Sequence, residues 1–290
     1  MKRLIVNADD FGLTRGVNEG IARAFREGIL TSTTLMASGP AFEDAVEQAR
    51  ANPRLGVGCH LVLVGGRAVA GPKQARSLVD ANGMLPRSLL ALVTRLACGM
   101  VEPKDIESEF RAQIGRVRAA GIEPTHLDTH KHTHSHPKVM EALARVAKEF
   151  GITRVRKPFE SLRNVLGIPR RGGNGQVSAK RRATMAAART GAPRFRRIIT
   201  RYGLRTPDYF FGLGLTGRLA SPGVLRVLNA LPEGTSELMC HPGVCDDELE
   251  RTETRLKHQR EVELAGLLDP AVRNAAQRQG IELVSYRALD

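Results

Sequence analysis

Two adjacent carboxylates, Asp9 and Asp10, follow the aliphatic run Leu4-Ile5-Val6. Side by side they repel each other unless a cation or a shared proton offsets the cost. Five of the eight histidines crowd into HLDTHKHTHSH, at His126, His130, His132, His134 and His136. His126, Asp128 and His130 alternate at period two, so on a strand all three face the same way. His60 lies within the otherwise apolar GVGCHLVL, where burial requires a partner, a metal among the candidates. His241 closes ELMCH just before Pro242-Gly243 turn the chain. The neighbouring thiols of Cys59 and Cys240 face away and read as core filling. So many histidines in one segment point to a metal site rather than to packing. Metal storage without catalysis is the competing reading, and it requires several ions per chain rather than one.

These groups need elements to position them. β-branched and aliphatic runs predict strands at 3-8, 31-37, 56-63, 124-130, 152-156, 208-214, 235-241 and 282-287. Helical spacing fills 14-27, 40-51, 86-98, 103-119, 137-149, 221-230 and 253-279, the first capped by Thr14 and stopped by Gly28. Such alternation predicts a parallel sheet, as a barrel or a doubly wound sheet. Asp9 and Asp10 then fall in the loop after the first strand. With His60, His130 and His241 they stand at or near the C-terminal ends of different strands, where a β/α barrel gathers catalytic groups. Two histidines and one carboxylate leave open positions on a divalent metal, as a catalytic site needs. A second carboxylate and a third histidine remain as base and acid. One aspartate binds the metal and the other activates its water. The chain shows no GxSxG elbow, P-loop or dinucleotide fingerprint.

Hydrophobic content of 42% and charge of 26% are those of a folded protein. The N-terminal apolar run is too short for a signal peptide, no apolar stretch has bilayer length, and the four cysteines lack CxxC pairing. The expected location is the cytoplasm. The net charge of +14 resides entirely between Arg154 and Arg205, where fifteen Lys or Arg face one acid, Glu160. Such a block forms a solvated face or grips phosphates. A nucleic-acid partner is not expected, because aromatic content of 4% without Trp offers few stacking platforms.

The segments VNADDFGLT, TSTTLM, GVGCHLVL, PTHLDTHKHTH and ELMCHPG, in that order, resemble the YdjC-like carbohydrate deacetylases, which include chitooligosaccharide deacetylases. LVLVGGRAV, LRTPDYFFGLGLTGRL and GIELVSYRAL resemble most the hopanoid-biosynthesis-associated branch. The resemblance implies an α/β fold, a distorted, TIM-barrel-like (β/α) barrel of seven or eight parallel strands. It would form a single domain over 1-290, with insertions at about 64-85 and 158-207. It implies one divalent metal ion, magnesium or zinc, on Asp10, His60 and His130, with Asp9 as general base and His241 as acid. Asp128 is expected to orient a ligand histidine, with His126, His132 and His134 around the ligands or the substrate. The implied reaction removes acetyl from the N-acetylglucosaminyl group of a hopanoid glycolipid, a soluble chitooligosaccharide being the alternative substrate. Thr14, Cys59 and Thr129 stand where relatives often have Ser, a large apolar residue and Ser, changes that touch no catalytic role. A homodimer is a further expectation. So is peripheral contact with the anionic inner face of a membrane through Lys180, Arg181 and Arg182, together with Arg170, Arg171, Arg194, Arg196 and Arg197.

Overall fold

Leu4, Ile5, Val6 and Ala8 are all buried, so strand β1 (Lys2–Phe11) is covered on both faces and lies at the centre of a sheet. The computed structural model describes residues 1–160 and 190–289. Among these, seven parallel strands run in the order β4 (Leu127–Thr129), β3 (Gly56–Leu61), β2 (Ser32–Leu35), β1, β6 (Gly234–Cys240) and β5 (Tyr209–Phe211). The short β7 (Glu282–Leu283) lies beside the first half of β1. Between the strands run α1 (Arg15–Glu27), α2 (Phe42–Ala51), α3 (Gly71–Gln74), α4 (Leu89–Ala97), α5 (Pro103–Ala119) and α6 (Pro137–Glu149). The second half holds α7 (Ala192–Tyr202), α8 (Ser221–Ala230), α9 (Asp247–Arg251), α10 (Gln259–Leu268) and α11 (Pro270–Arg278). Helix α1 shows why local sequence suffices: the Thr14 side chain accepts from Val17 N–H, and Val17, Ile21 and Ala24 bury one face.

The sheet curls as a barrel does, but its ladder stays open. Beyond β4, among the described residues, only isolated parallel bridges continue it, Leu127 with Val155 and Arg154 with Arg205. The expected barrel is therefore a half-barrel of seven strands, and the segment at 152-156 pairs one residue at a time. Pro158 cannot donate to a ladder, and the Arg154 guanidinium is turned to the carbonyls of Leu289 and Arg287.

The segments expected as insertions contribute to the core. In 64–85, Ala75, Leu78, Val79 and Leu85 are buried in the main core. Within 158–207, α7 packs Phe195 and Ile198 into that same core and ends at Gly203 in the left-handed region. No helix among the described residues is long and apolar enough to cross a membrane.

Candidate metal centre

Strand β1 continues through Asp9 and Asp10 to Phe11, so both carboxylates lie in the strand rather than in the loop after it. Its register against β2 slips there: Ala8 pairs with Thr33 but Phe11 with Leu35, which leaves one extra residue in β1. Asp10 has φ of 68°, a left-handed conformation that aspartate accepts more readily than most side chains. On a regular strand the two carboxylates would point to opposite faces. The bulge brings both into one buried polar cluster.

Asp10 Oδ1 lies 3.2 Å from His130 Nδ1 and 3.5 Å from His60 Nε2, and those two ring nitrogens are 3.4 Å apart. The oxygen is buried, yet it accepts no hydrogen bond of ordinary geometry from a described residue. Three atoms with lone pairs repel one another unless positive charge sits among them. Asp10 Oδ2, by contrast, accepts from Arg260 Nη2 at 2.6 Å. The β3–β4 register sets His60 beside Asp128, and Asp128 Oδ1 is 2.6 Å from His60 Nδ1. That contact keeps a proton on Nδ1 and presents Nε2 to Asp10. Thr34 Oγ1 donates to Asp128 Oδ2 at 3.2 Å, holding the orienting carboxylate in turn. Burial disfavours a charged His60, but the Asp128 and Asp10 carboxylates outweigh it and push its pKa up to about 10. The position draws positive charge. His130 stands on the turn after β4, its side chain a quarter exposed, so the group opens on one side. Two imidazoles and a carboxylate so placed fit a divalent ion with positions to spare.

Asp9 faces a different partner. Arg156 donates to both its oxygens, at 2.8 and 2.7 Å. The same guanidinium reaches Asp128 Oδ2 at 2.6 Å and Glu237 Oε1 at 2.7 Å. Burial would raise the Asp9 pKa, but Arg156 holds it below the usual carboxylate range. The β1–β6 register pairs Ala8 with Cys240, which sets His241 next to Asp9, Nε2 being 4.0 Å from Asp9 Oδ2. Glu263 accepts from the backbone N–H groups of His241 and Gly217 and so fixes this turn. The turn presses on α1 so closely that a Cβ on Gly20 would lie 2.5 Å from Gly243 Cα. Burial lowers the His241 pKa to about 4.

The other histidines stand apart from Asp10. His126 stacks on Tyr286 with ring centroids 3.6 Å apart, in space that a Cβ on Gly58 would close. Lys131 and His132 both take left-handed φ, which breaks the period-two pattern after His130 and sets His132 edge-on to Phe210. His134 lies 2.6 Å from Thr129 Oγ1 and 3.1 Å from the Arg156 carbonyl, supporting the arginine rather than the three ligand-type atoms. At the surface, Cys245, Glu250 and His258 form a separate group of ligand-type atoms. Lys180, Arg181, Arg182, Arg170 and Arg171 lie outside the described residues, while Arg194, Arg196 and Arg197 are exposed on α7.

Sequence reasoning missed Arg156 and Arg260, both buried, together with Glu237, a partner of Arg156, and Glu263, which fixes the His241 turn. Arg156 was hidden in the basic block. The signal that could have found it is position: it ends a strand-like segment and precedes Phe159 and Glu160, which are buried.

The family model described as YdjC-like protein matches residues 3–278. A carbohydrate deacetylase of Geobacillus stearothermophilus is 34% identical over 284 residues, covering 98% of this chain and 96% of its own length. One of Brevibacillus brevis is 34% identical over 288 residues, covering 99% of each. The crystal structure of a protein from Enterococcus faecalis, named for cellobiose-phosphate cleavage, superposes with a TM-score of 0.80 at 25% identity, over 99% of this chain and 98% of its own.

Proposed function

We propose that this chain, which belongs to the YdjC-like protein family, works as one domain that hydrolyses the acetamide of an N-acetylated sugar at the Asp10–His60–His130 centre. The observation that carries this reading is the buried Asp10 Oδ1, which has no hydrogen-bond partner of ordinary geometry among the described residues and faces two ring nitrogens. The activity named for its relatives supports the substrate class. The segments LVLVGGRAV and LRTPDYFFGLGLTGRL favour the N-acetylglucosaminyl group of a hopanoid glycolipid, met at the cytoplasmic face of a membrane, over a soluble chitooligosaccharide. Lys180, Arg181 and Arg182 would then meet the anionic lipid surface.

Held by Asp10, His60 and His130, a divalent ion, magnesium or zinc, would polarise the acetamide carbonyl and acidify a water. Arg260 occupies the second Asp10 oxygen, so the carboxylate offers a single atom. Asp9 takes the proton of the attacking water. Its pairing with Arg156 makes it a weak base, suited only to a water that is already acidic. An amide nitrogen leaves poorly until it is protonated, and His241 delivers that proton. Because burial keeps His241 neutral near pH 7, the proton it hands on is gained within the turnover, and Asp9 Oδ2 at 4.0 Å is in place to supply it. Asp128 keeps the His60 proton on Nδ1 throughout.

The test measures acetate released from an N-acetylated chitooligosaccharide and from an N-acetylglucosaminyl hopanoid. Release is expected from the glycolipid above all, with loss on chelation and recovery on adding the metal back. No release from either substrate under any metal would overturn the reading. Release from the oligosaccharide alone would overturn only its lipid part.

A further inference from the structure

Among the described residues, the exposed large hydrophobic side chains other than Met1 and Val262 all fall between Met84 and Met100. They are Met84, Leu89, Leu90, Val93 and Met100, with Leu90 76% exposed and Met100 60%. Helix α4 explains the concentration. Its sequence, LLALVTRLA, is apolar almost all round, Thr94 and Arg95 being its only polar residues. Leu92 and Leu96 face the core, while Leu89, Leu90 and Val93 face outward. A helix apolar on every side is ordinarily buried on every side. Here one side meets solvent.

The surroundings say what would cover it. From Val64 to Met100 the chain carries five cations, Arg67, Lys73, Arg76, Arg87 and Arg95, against one acid, Asp80. Asp80 is turned into its own loop, where Oδ1 accepts from Asn82 and Met84 N–H. Lys73, Arg76 and Arg87 are exposed, and of these Arg87, after the Met84 N–H, helps to hold the Asp80 carboxyl below its ordinary range. Exposed leucines in a segment of net positive charge complement an anionic lipid surface, which takes the apolar side chains below its headgroups and the cations among them. A second copy of this chain would bring the same positively charged segment against the first and be repelled. The helix is also linked to the chain that follows β4. Lys138, in the first turn of α6, donates to the Leu96 carbonyl at 3.0 Å, tying α4 to the turn that carries His130.

We infer that α4 is a membrane-docking helix, seating Leu89, Leu90 and Val93 in an anionic bilayer. This deepens the glycolipid part of the proposed function, yet it is measured without substrate or turnover, so either can fail alone.

The chain contains no Trp, so Leu90→Trp installs a single reporter on an exposed position. With vesicles of phosphatidylglycerol and phosphatidylcholine its emission should shift to the blue, and with phosphatidylcholine alone the shift should largely vanish. The double variant Leu90→Glu, Val93→Glu should bind the anionic vesicles about tenfold more weakly or worse, and release acetate from a soluble oligosaccharide at the unaltered rate. A polarity-sensitive dye on the exposed Cys98 gives a second reading should Leu90→Trp fold poorly. Co-sedimentation with vesicles while both reporters stay in a watery environment would overturn the inference, leaving docking to the basic block. A blue shift that appears without vesicles and grows with protein concentration would overturn it too, because a second copy would then cover the face.

Discussion

The polar cluster at the end of β1 and the outer face of α4 invert the usual arrangement in opposite senses. At the first, Asp9, Asp10, Asp128, Glu237, Arg156 and Arg260 are buried. At the second, Leu89, Leu90 and Val93 meet solvent. The buried charges answer one another within the chain: one guanidinium serves three carboxylates, and a second holds Asp10. The exposed leucines have no such answer among the described residues. The first region is therefore costly to disturb from inside, whereas the second depends on something outside. Asp10 Oδ1 and Arg260 Nη1 break the pattern of the first region, each buried without a hydrogen-bond partner among the described residues, and the former faces the two ring nitrogens where the proposed ion would sit.

The largest effect that can break this contrast is at Arg156. Arg156→Met leaves three buried carboxylates facing one another, and losing one partner of a buried ion pair costs about 3–5 kcal/mol. Thermal unfolding should show that loss together with loss of activity. A fully stable Arg156→Met would mean the cluster is held by something else. Next come the proton carriers. Asp9→Asn and His241→Ala should each lower kcat about a hundredfold to ten-thousandfold, the usual worth of one base or acid, with bound metal unchanged. An unaltered kcat in His241→Ala would remove it from the mechanism.

Acid should sharpen the same contrast. Burial lowers His126 and His132 to about 3, and His134 and His241 to about 4. Unfolded, these four take up protons below about 6.5, so acidification favours unfolding. Burial instead raises Glu237 and Glu263 to about 7, so the folded chain keeps those two protons where the unfolded chain loses them. Between about pH 4.5 and 6.5 the unfolded state thus holds about two protons more. Stability of the ion-free protein should rise with pH by roughly 3 kcal/mol per unit there. Urea titrations at three pH values in this window measure the slope, and a flat line would contradict the burial of these histidines as neutral groups. The smallest effect belongs to α4. Leu90→Glu should change unfolding free energy by less than about 0.5 kcal/mol, as a surface change does. A large loss there would show that the leucine is packed after all.

Much of the centre was legible because it rests on strand ends. His60, His130 and His241 each stand at or near the end of a strand-like segment, and parallel strands deliver such ends to one side. What was not legible depends on pairing across the sheet. The bulge at Asp10 exists only relative to β2, and without it adjacent aspartates read as a loop. Arg156 sits among fifteen cations that look like a solvated face, and only its three carboxylate partners, distant in sequence, distinguish it. Helix α7 carries the spacing Phe195, Ile198 and Tyr202, yet the arginines between them hid a helix within the basic block. The open edge beyond β4 turned on single bridges, which no run of residue types announces.

The central claim is that Asp10, His60 and His130 together hold a divalent ion. Elemental analysis of the purified protein after loading with zinc or magnesium and exhaustive dialysis, in the wild type and in His60→Ala, tests it most directly. One equivalent in the wild type that disappears from a folded His60→Ala protein is the predicted result. One equivalent retained in that variant would contradict it.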